Sequence, residues 1–413
     1  MIDFDRFTLE NGLRVIVHRD ETTPMVAMNL LYDIGAKDEH PDKTGFAHLF
    51  EHLMFGGSVN IPNYDKPLQN IGGENNAFTN NDITNYYLTL PAENIETGFW
   101  LESDRMLCLD FSRKSLDIQK NVVIEEYKQR YLNQPYGDVW LILRPLAYKV
   151  HPYQWATIGK EISHIQNATL ENVKEFFFQH YAPNNAILVI AGNIDNQQVI
   201  DLSEKWFSPI DTRNVPEREL SSEPTQKQER KSEVERDVPF DAIFKTYHMC
   251  SRNHEDFYAV DLISDILANG KSSRLYQQLV QKKKLFSEIN AYITGDIDPG
   301  LLVVSGNLMK NITMKTAEDA INEELDKLKT EWVKEHELNK VKNKIESTMI
   351  FSMTNVLNKA MNLAFYELLG DAGNFNTEIE KYRKVSPVTI KDMANTVLQP
   401  ENCSTLCYLS KKH

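Results

Sequence analysis

The sequence predicts an α+β chain built from two tandem repeats of roughly 200 residues, on three grounds. Short alternating strands and helical periodicity are mixed along its whole length. A stretch from Ser208 to Glu235, with Pro209, Pro216 and Pro224 among Glu, Gln, Lys and Ser, reads as a linker. The two halves also close alike: Thr169-Leu170 opens a helix before Pro183-Asn184-Asn185 and a strand, and Thr389-Ile390 opens one before Pro400-Glu401-Asn402 and a strand. The expected division is a first repeat over 1–207, a linker over 208–235 and a second repeat over 236–413.

Phe7–Glu10, Asn11-Gly12 and Leu13–His18 read as strand, turn and strand, with Asn-Gly as the hairpin signal. Met25 to Tyr32 continues as a strand. A helix begins after Thr44-Gly45, runs from Phe46 to about Met54, and stops at Gly56-Gly57. Asn76 to Leu90 alternates and ends at Pro91, as a strand or hairpin does. Helices are expected from Glu93 to about Leu107, from about Lys114 to Leu132, and from Leu170 to His180. The last leads through Pro183 into the apolar strand Ala186–Ala191. After the linker come strand Ala242–Met249, helices Phe257–Leu267 and Ser272–Lys283, strands Ile289–Thr294 and Leu301–Asn307, then long helices. Cys403 and Cys407, four apart on a closing strand, share one face and read as core.

Composition excludes several classes. Of 413 residues, 41% are hydrophobic and 25% charged, which fits a globular chain and not a disordered or fibrous one. The net charge of −14 argues against wrapping a nucleic acid, and Lys282-Lys283-Lys284 reads as a solvated helix face. The longest aliphatic run, around Ala186–Ala191, is far short of a membrane span. Four cysteines are too few for a disulfide scaffold, and no signal segment opens the sequence. A cytoplasmic location is expected, or a periplasmic one if a signal segment has been removed.

The segment that carries chemistry is His48-Leu49-Phe50-Glu51-His52. On a helix, His48 and His52 lie one above the other on one face. Two imidazoles so placed suit one Zn²⁺, and Glu51 reaches the same face without being forced to bind. This is the inverted order H-x-x-E-H, in which the two histidines hold metal and the carboxylate takes a proton from water. Two histidines leave a catalytic zinc one protein ligand short. The third is expected at Glu126: Val122 and Val123 behind it form an inward-facing stripe, whereas Glu125 faces Asn121, Lys128 and Gln129.

With these residues in place, the chain resembles the pitrilysin/insulinase family of zinc metallopeptidases over essentially its whole length. The family's glutamate ligand follows the motif by seventy-odd residues, and Glu126 follows His52 after 73 intervening residues. Asn75–Thr79 with Thr84–Tyr87, Tyr181–Asn185 with Ala191-Gly192-Asn193, and Ser272–Tyr276 resemble further family segments. The resemblance implies repeats that are each a mainly antiparallel sheet with helices packed on one side. It also implies a chamber of four repeats, so a two-repeat chain needs a second chain, either a different family subunit or a second copy of itself. One zinc per chain is implied, held by His48, His52 and Glu126, with Glu51 as general base. Unfolded peptides are the implied substrates, added to a sheet edge at Asn76, Ala77 and Phe78.

The sequence departs from the family in two places. Gln119 stands where an acidic residue supporting the metal ligand is expected. In the second repeat, Val280 and Ser287 replace the Arg and Tyr that contact substrate in active members, while Arg274 and Tyr276 belong to a separate packing helix. The expected function is therefore a zinc-dependent endopeptidase of unfolded peptides whose partner supplies the Arg/Tyr pair. A non-catalytic or conditionally active assembly subunit of the same fold is the alternative.

Overall fold

Gly12, at φ 90°, turns the first hairpin, with β1 (Asp5–Thr8) and β2 (Arg14–Arg19) antiparallel on either side. The computed structural model describes residues 1–411. β3 (Met25–Tyr32), β4 (Glu74–Thr79), β5 (Thr84–Pro91) and β6 (Ala186–Gly192) complete a six-stranded sheet in the order β1-β2-β6-β3-β5-β4. Within it the β2–β6 pair is parallel and the other pairs are antiparallel. The apolar run of β6 is wholly buried, as a strand covered on both faces must be. Among the described residues β4 is the sheet edge and pairs with β5 alone.

A second sheet contains β7 (Arg230–Arg236), β8 (Ala242–His248), β9 (Phe286–Ile293), β10 (Leu301–Leu308) and β11 (Cys403–Ser410), in the order β7-β11-β8-β10-β9. Here β7–β11 is parallel and the rest antiparallel. Taken in chain order, β2 to β6 and β7 to β11 therefore follow one topology, with β1 added to the first copy. Side-chain contacts repeat with it. Asn185 Nδ2 donates to His180 O at 2.8 Å and to Asp33 O at 3.2 Å; Asn402 Nδ2 donates to Val397 O and His248 O, both at 2.9 Å. Each asparagine ties the end of a helix to the end of a central strand.

The chain forms two compact units that interleave along the sequence. One holds Met1–Arg130, Trp155–Leu220 and Ile350–Thr377; the other holds Tyr131–Gln154, Ser221–Met349 and the stretch from Glu378. In the first, α1 (Phe46–Leu53), α2 (Asp65–Asn70), α3 (Ile95–Leu107) and α4 (Arg113–Tyr127) accompany the sheet, and helix Val356–Leu368 packs on β3 and β6. In the second, alternate strand residues face opposite ways. Ile243, Leu302 and Val304 pack with helix Phe257–Ala268, whereas Ala242, Leu406 and Tyr408 pack with helix Val139–Ala147.

Several details differ from the sequence reading. The region 208–235 contains most of β7, because Arg230–Arg236 finds a parallel partner in β11; 211–229 carries neither helix nor strand. That stretch is pinned by side chains. Arg218 donates to Asp33 in the first unit, and Glu223 accepts the backbone N–H groups of Lys149, Val150 and His151 in the second. The closing helix of the second copy starts at Pro387 and is capped by Ser386, with Thr389 as its capping-box partner, so Thr389 does not open it. The expected helix over 272–283 is a π-turn across Tyr276–Lys282. Val122 is 43% exposed while Val123 is 1% exposed, so only Val123 faces the core behind Glu126. Cys403 and Cys407 are both buried and free, as core residues.

Candidate metal centre

α1 is amphipathic over two turns. Phe46, Ala47, Leu49, Phe50 and Leu53 are buried, and Phe50 stacks on Phe176 at 4.9 Å and Tyr181 at 5.2 Å between ring centroids. That face fixes the helix against Leu170–His180 and leaves His48, Glu51 and His52 on the less covered side. The imidazoles of His48 and His52 lie 4.8 Å apart between centroids at 87°, one turn above each other as the spacing requires.

α4 brings the third residue. Glu126 Oε2 lies 3.7 Å from His48 Nε2 and 3.4 Å from His52 Nε2. One donor atom from each of the three residues falls within 4.8 Å of the others, and among the described residues no other group of three acidic, His or Cys side chains meets this condition. Arg130, on the π-turn Lys128–Leu132 that follows α4, holds the other carboxylate oxygen, Oε1, at 3.0 Å. Glu125 points away, its side chain 60% exposed and paired with Lys128 at 2.7 Å.

The donor set fits a zinc ion. Burial, reinforced by the neighbouring His52, lowers the pKa of His48 to about 4, so its ring is neutral at pH 7 with a lone pair free to ligate. A hydrogen bond with His52 holds Glu126 below the usual carboxylate range, so it carries charge. His48 Nδ1 is buried with no hydrogen-bond partner, which leaves this ring's position to its packing and to whatever its Nε2 binds. Burial moves Glu51 the other way: its carboxyl is raised, with Thr79 and His52 opposing, which suits a group that must accept and return a proton.

The remaining site residues divide. Asn76, Ala77 and Phe78 lie on the edge strand β4, next to α1 in the fold, with Phe78 37% exposed. The N–H of Ala77 is held by the side chain of its own neighbour, Asn76 Oδ1, at 2.8 Å. Gln119 is half-buried two turns before Glu126 and makes no hydrogen bond to any of the three donor residues. Val280 packs against the core of the second unit, Ser287 Oγ donates to Asn307 O at 3.2 Å, and Arg274 is engaged by Glu337 through two bonds of 2.9 and 2.8 Å.

Glu39 escaped the sequence reading. It is 5% exposed, and its carboxylate accepts the N–H of Gly45 through Oε2 and that of Ala47 through Oε1, both at 2.8 Å. Burial pushes its carboxyl up to about 8, while those N–H groups pull it back. The available signal was negative: the helix opens at a glycine with no capping side chain before it.

A duplicated α+β frame carrying an inverted His-x-x-Glu-His helix opposite a glutamate defines a class of protein. Residues 14–139 match the model described as Insulinase (Peptidase family M16), and residues 167–345 match the Peptidase M16 inactive domain. The chain is 32% identical to the zinc protease PqqE of Helicobacter pylori over 345 residues, covering 81% of this chain and 77% of that one. It therefore belongs to the insulinase family. A crystal structure of a protease from Helicobacter pylori superposes with a TM-score of 0.92 at 28% identity, covering 99% of this chain and all of that one. The periplasmic protease PqqL from Escherichia coli shares the fold with a TM-score of 0.82 at 18% identity, matching all of this chain and 48% of that one.

Proposed function

We propose that this chain is a zinc-dependent endopeptidase of unfolded peptides, with His48, His52 and Glu126 as metal ligands and Glu51 as general base. The observation that carries the reading is the convergence of three donor atoms from two helices within 4.8 Å, beside a carboxyl with a raised pKa. The name of the Helicobacter pylori relative, a zinc protease, supports zinc as the metal. A zinc ion held there supplies a Lewis acid that lowers the pKa of water and polarises a carbonyl. Glu51 takes the proton of the attacking water and delivers it to the leaving amine, a role that suits its raised pKa. The edge strand β4 receives the peptide as an added strand, with Asn76, Ala77 and Phe78 along it, so backbone pairing gives affinity with little sequence preference.

The chamber is completed by a second chain, a family subunit or another copy. Val280 and Ser287 offer neither the charge nor the phenol needed to stabilise a developing oxyanion. PqqL, of which this chain covers 48%, has about two such lengths in one polypeptide. The test is hydrolysis of a quenched fluorogenic peptide by the zinc-loaded chain, with Glu51→Gln as control. Cleavage lost in Glu51→Gln while its zinc content is unchanged supports the reading. Cleavage that survives the substitution refutes Glu51 as the base. Zinc-loaded chain that is inactive both alone and with a family subunit supplied favours an assembly role.

A further inference from the structure

The metal-bearing helix cannot cap itself. Gly45 sits at φ 88°, and a Cβ there would meet the carbonyl oxygen of Ile158 at 2.8 Å, so Ser, Thr, Asp or Asn is excluded from the position where a helix ordinarily finds its cap. The first turn of α1 also contains no acidic side chain. The N–H groups that open the helix are satisfied from outside, by Glu39, and Ala47, whose N–H it binds, immediately precedes His48.

Glu39 is itself tightly placed. It ends the turn Ala36–Asp38, whose backbone is bonded to the β4–β5 turn by Ala36 N to Asn80 O at 3.1 Å and Lys37 N to Asn81 O at 2.9 Å. Lys37 and Asp82, with side chains 3% and 4% exposed, pair at 2.8 Å across the same junction. Trp155 Nε1 donates to Ala36 O at 2.8 Å, and Arg218 reaches Asp33 at 3.0 Å and also pairs with Asp38. One buried turn is thus bonded both to the hairpin that contains the edge strand and, through Glu39, to the helix that contains both histidines.

We propose that Glu39 is a positioning residue of the metal centre, setting the first turn of α1 and with it the placement of His48 opposite Glu126. This rests on the metal-centre reading above. Losing Glu39 frees the N-terminal turn, where His48 lies, more than the following turn, where His52 lies. The ligand set then loses its preorganisation, although no ligand has been removed.

The experiment measures zinc affinity of the full chain by competition with a chromophoric chelator, alongside far-UV circular dichroism and the melting temperature of the metal-free form. Glu39→Ala is expected to bind zinc ~10–100-fold more weakly than the unsubstituted chain with its helical signal retained, the size typical of residues that orient metal ligands. Glu39→Gln, which keeps one acceptor oxygen, should fall between the two. Ser386→Ala removes a helix cap in the other unit and should lower the melting temperature without changing zinc affinity. If Glu39→Ala does not fold, Arg218→Met loosens the same turn from its one-third-exposed side, and an affinity reduced by at least about threefold is expected. Unchanged affinity in Glu39→Ala, or in Arg218→Met where that variant stands in, overturns the proposal while leaving the metal centre intact. An unsubstituted chain that takes up no zinc overturns both.

Discussion

His48 is largely buried beside the His52 ring, and the proposed ligand role requires of it an unprotonated nitrogen. Burial disfavours the imidazolium, and the lowered pKa leaves the ring neutral at pH 7, as that role requires. Glu126 is the negative partner, with Arg130 on one oxygen and the histidines on the other. Glu126→Gln is expected to weaken zinc binding by at least about tenfold with secondary structure unchanged, measured by chelator competition and circular dichroism. A half-buried acid in the second unit contributes to the pH dependence of stability. Burial pushes Asp261 up to about 6, against the hydroxyl of Tyr382, which donates to it at 2.7 Å. The folded chain therefore keeps this proton to higher pH than the unfolded chain, where Asp titrates near ~3.9. Its effect on stability is nil below about pH 4, grows unfavourable as pH rises to about 6, and then levels at no more than ~3 kcal/mol. Asp261→Asn should remove that decline, so urea unfolding at pH 7 should show the variant stabilised more than it is at pH 4.5.

At the scale of elements, the metal helix is legible in sequence because its information is local: apolar residues at helical spacing, histidines four apart, and glycines at both ends. Its packing partners are aromatic and close, so Phe50→Ala is expected to cost about 3–5 kcal/mol in denaturant unfolding. The hairpin containing β4 was readable from its alternation, whereas its place at the sheet edge was implied only by the family resemblance. Ala77→Pro removes an N–H from that edge and should raise KM for peptides several-fold with zinc content unchanged, which steady-state kinetics and metal analysis would check. The proposed glutamate ligand, Glu126, was readable in part. Val123 is buried behind Glu126 as expected, but Val122 faces outward, because residues at i−3 and i−4 straddle a helical stripe and packing decides which is covered. Helix Val139–Ala147 was missed: it carries a proline, Pro145, and its apolar residues are understood only once β7, β8 and β11 are present to cover them. β7 was hidden in a charged stretch, since its alternation of half-buried and exposed residues is that of an edge strand.

For the whole molecule, duplication explains why one topology appears twice while chemistry appears once. The first copy contains the three candidate metal donors; in the second, helix Phe257–Ala268 stands between β8 and β9 as α1 stands between β3 and β4, and it carries no histidine. Zinc should bind the folded chain and not the unfolded one. At a free zinc concentration ~100-fold above Kd the metal-loaded form should gain about 2.7 kcal/mol, visible as a chelator-reversible rise in Tm. Among the described residues no helix is long and apolar enough to cross a membrane. What the sequence determined by itself was whatever depends on near neighbours: most of the strands, the helix carrying His48, Glu51 and His52, and the duplicated order of elements. Only the tertiary structure decided which distant residues meet. Glu39 caps a helix six residues beyond it because a glycine there leaves the N–H groups unsatisfied, and segments 131–154 and 350–377 each join the unit of the opposite half. These are outcomes of burial and hydrogen-bond satisfaction, which act through space and leave no fixed spacing along the chain.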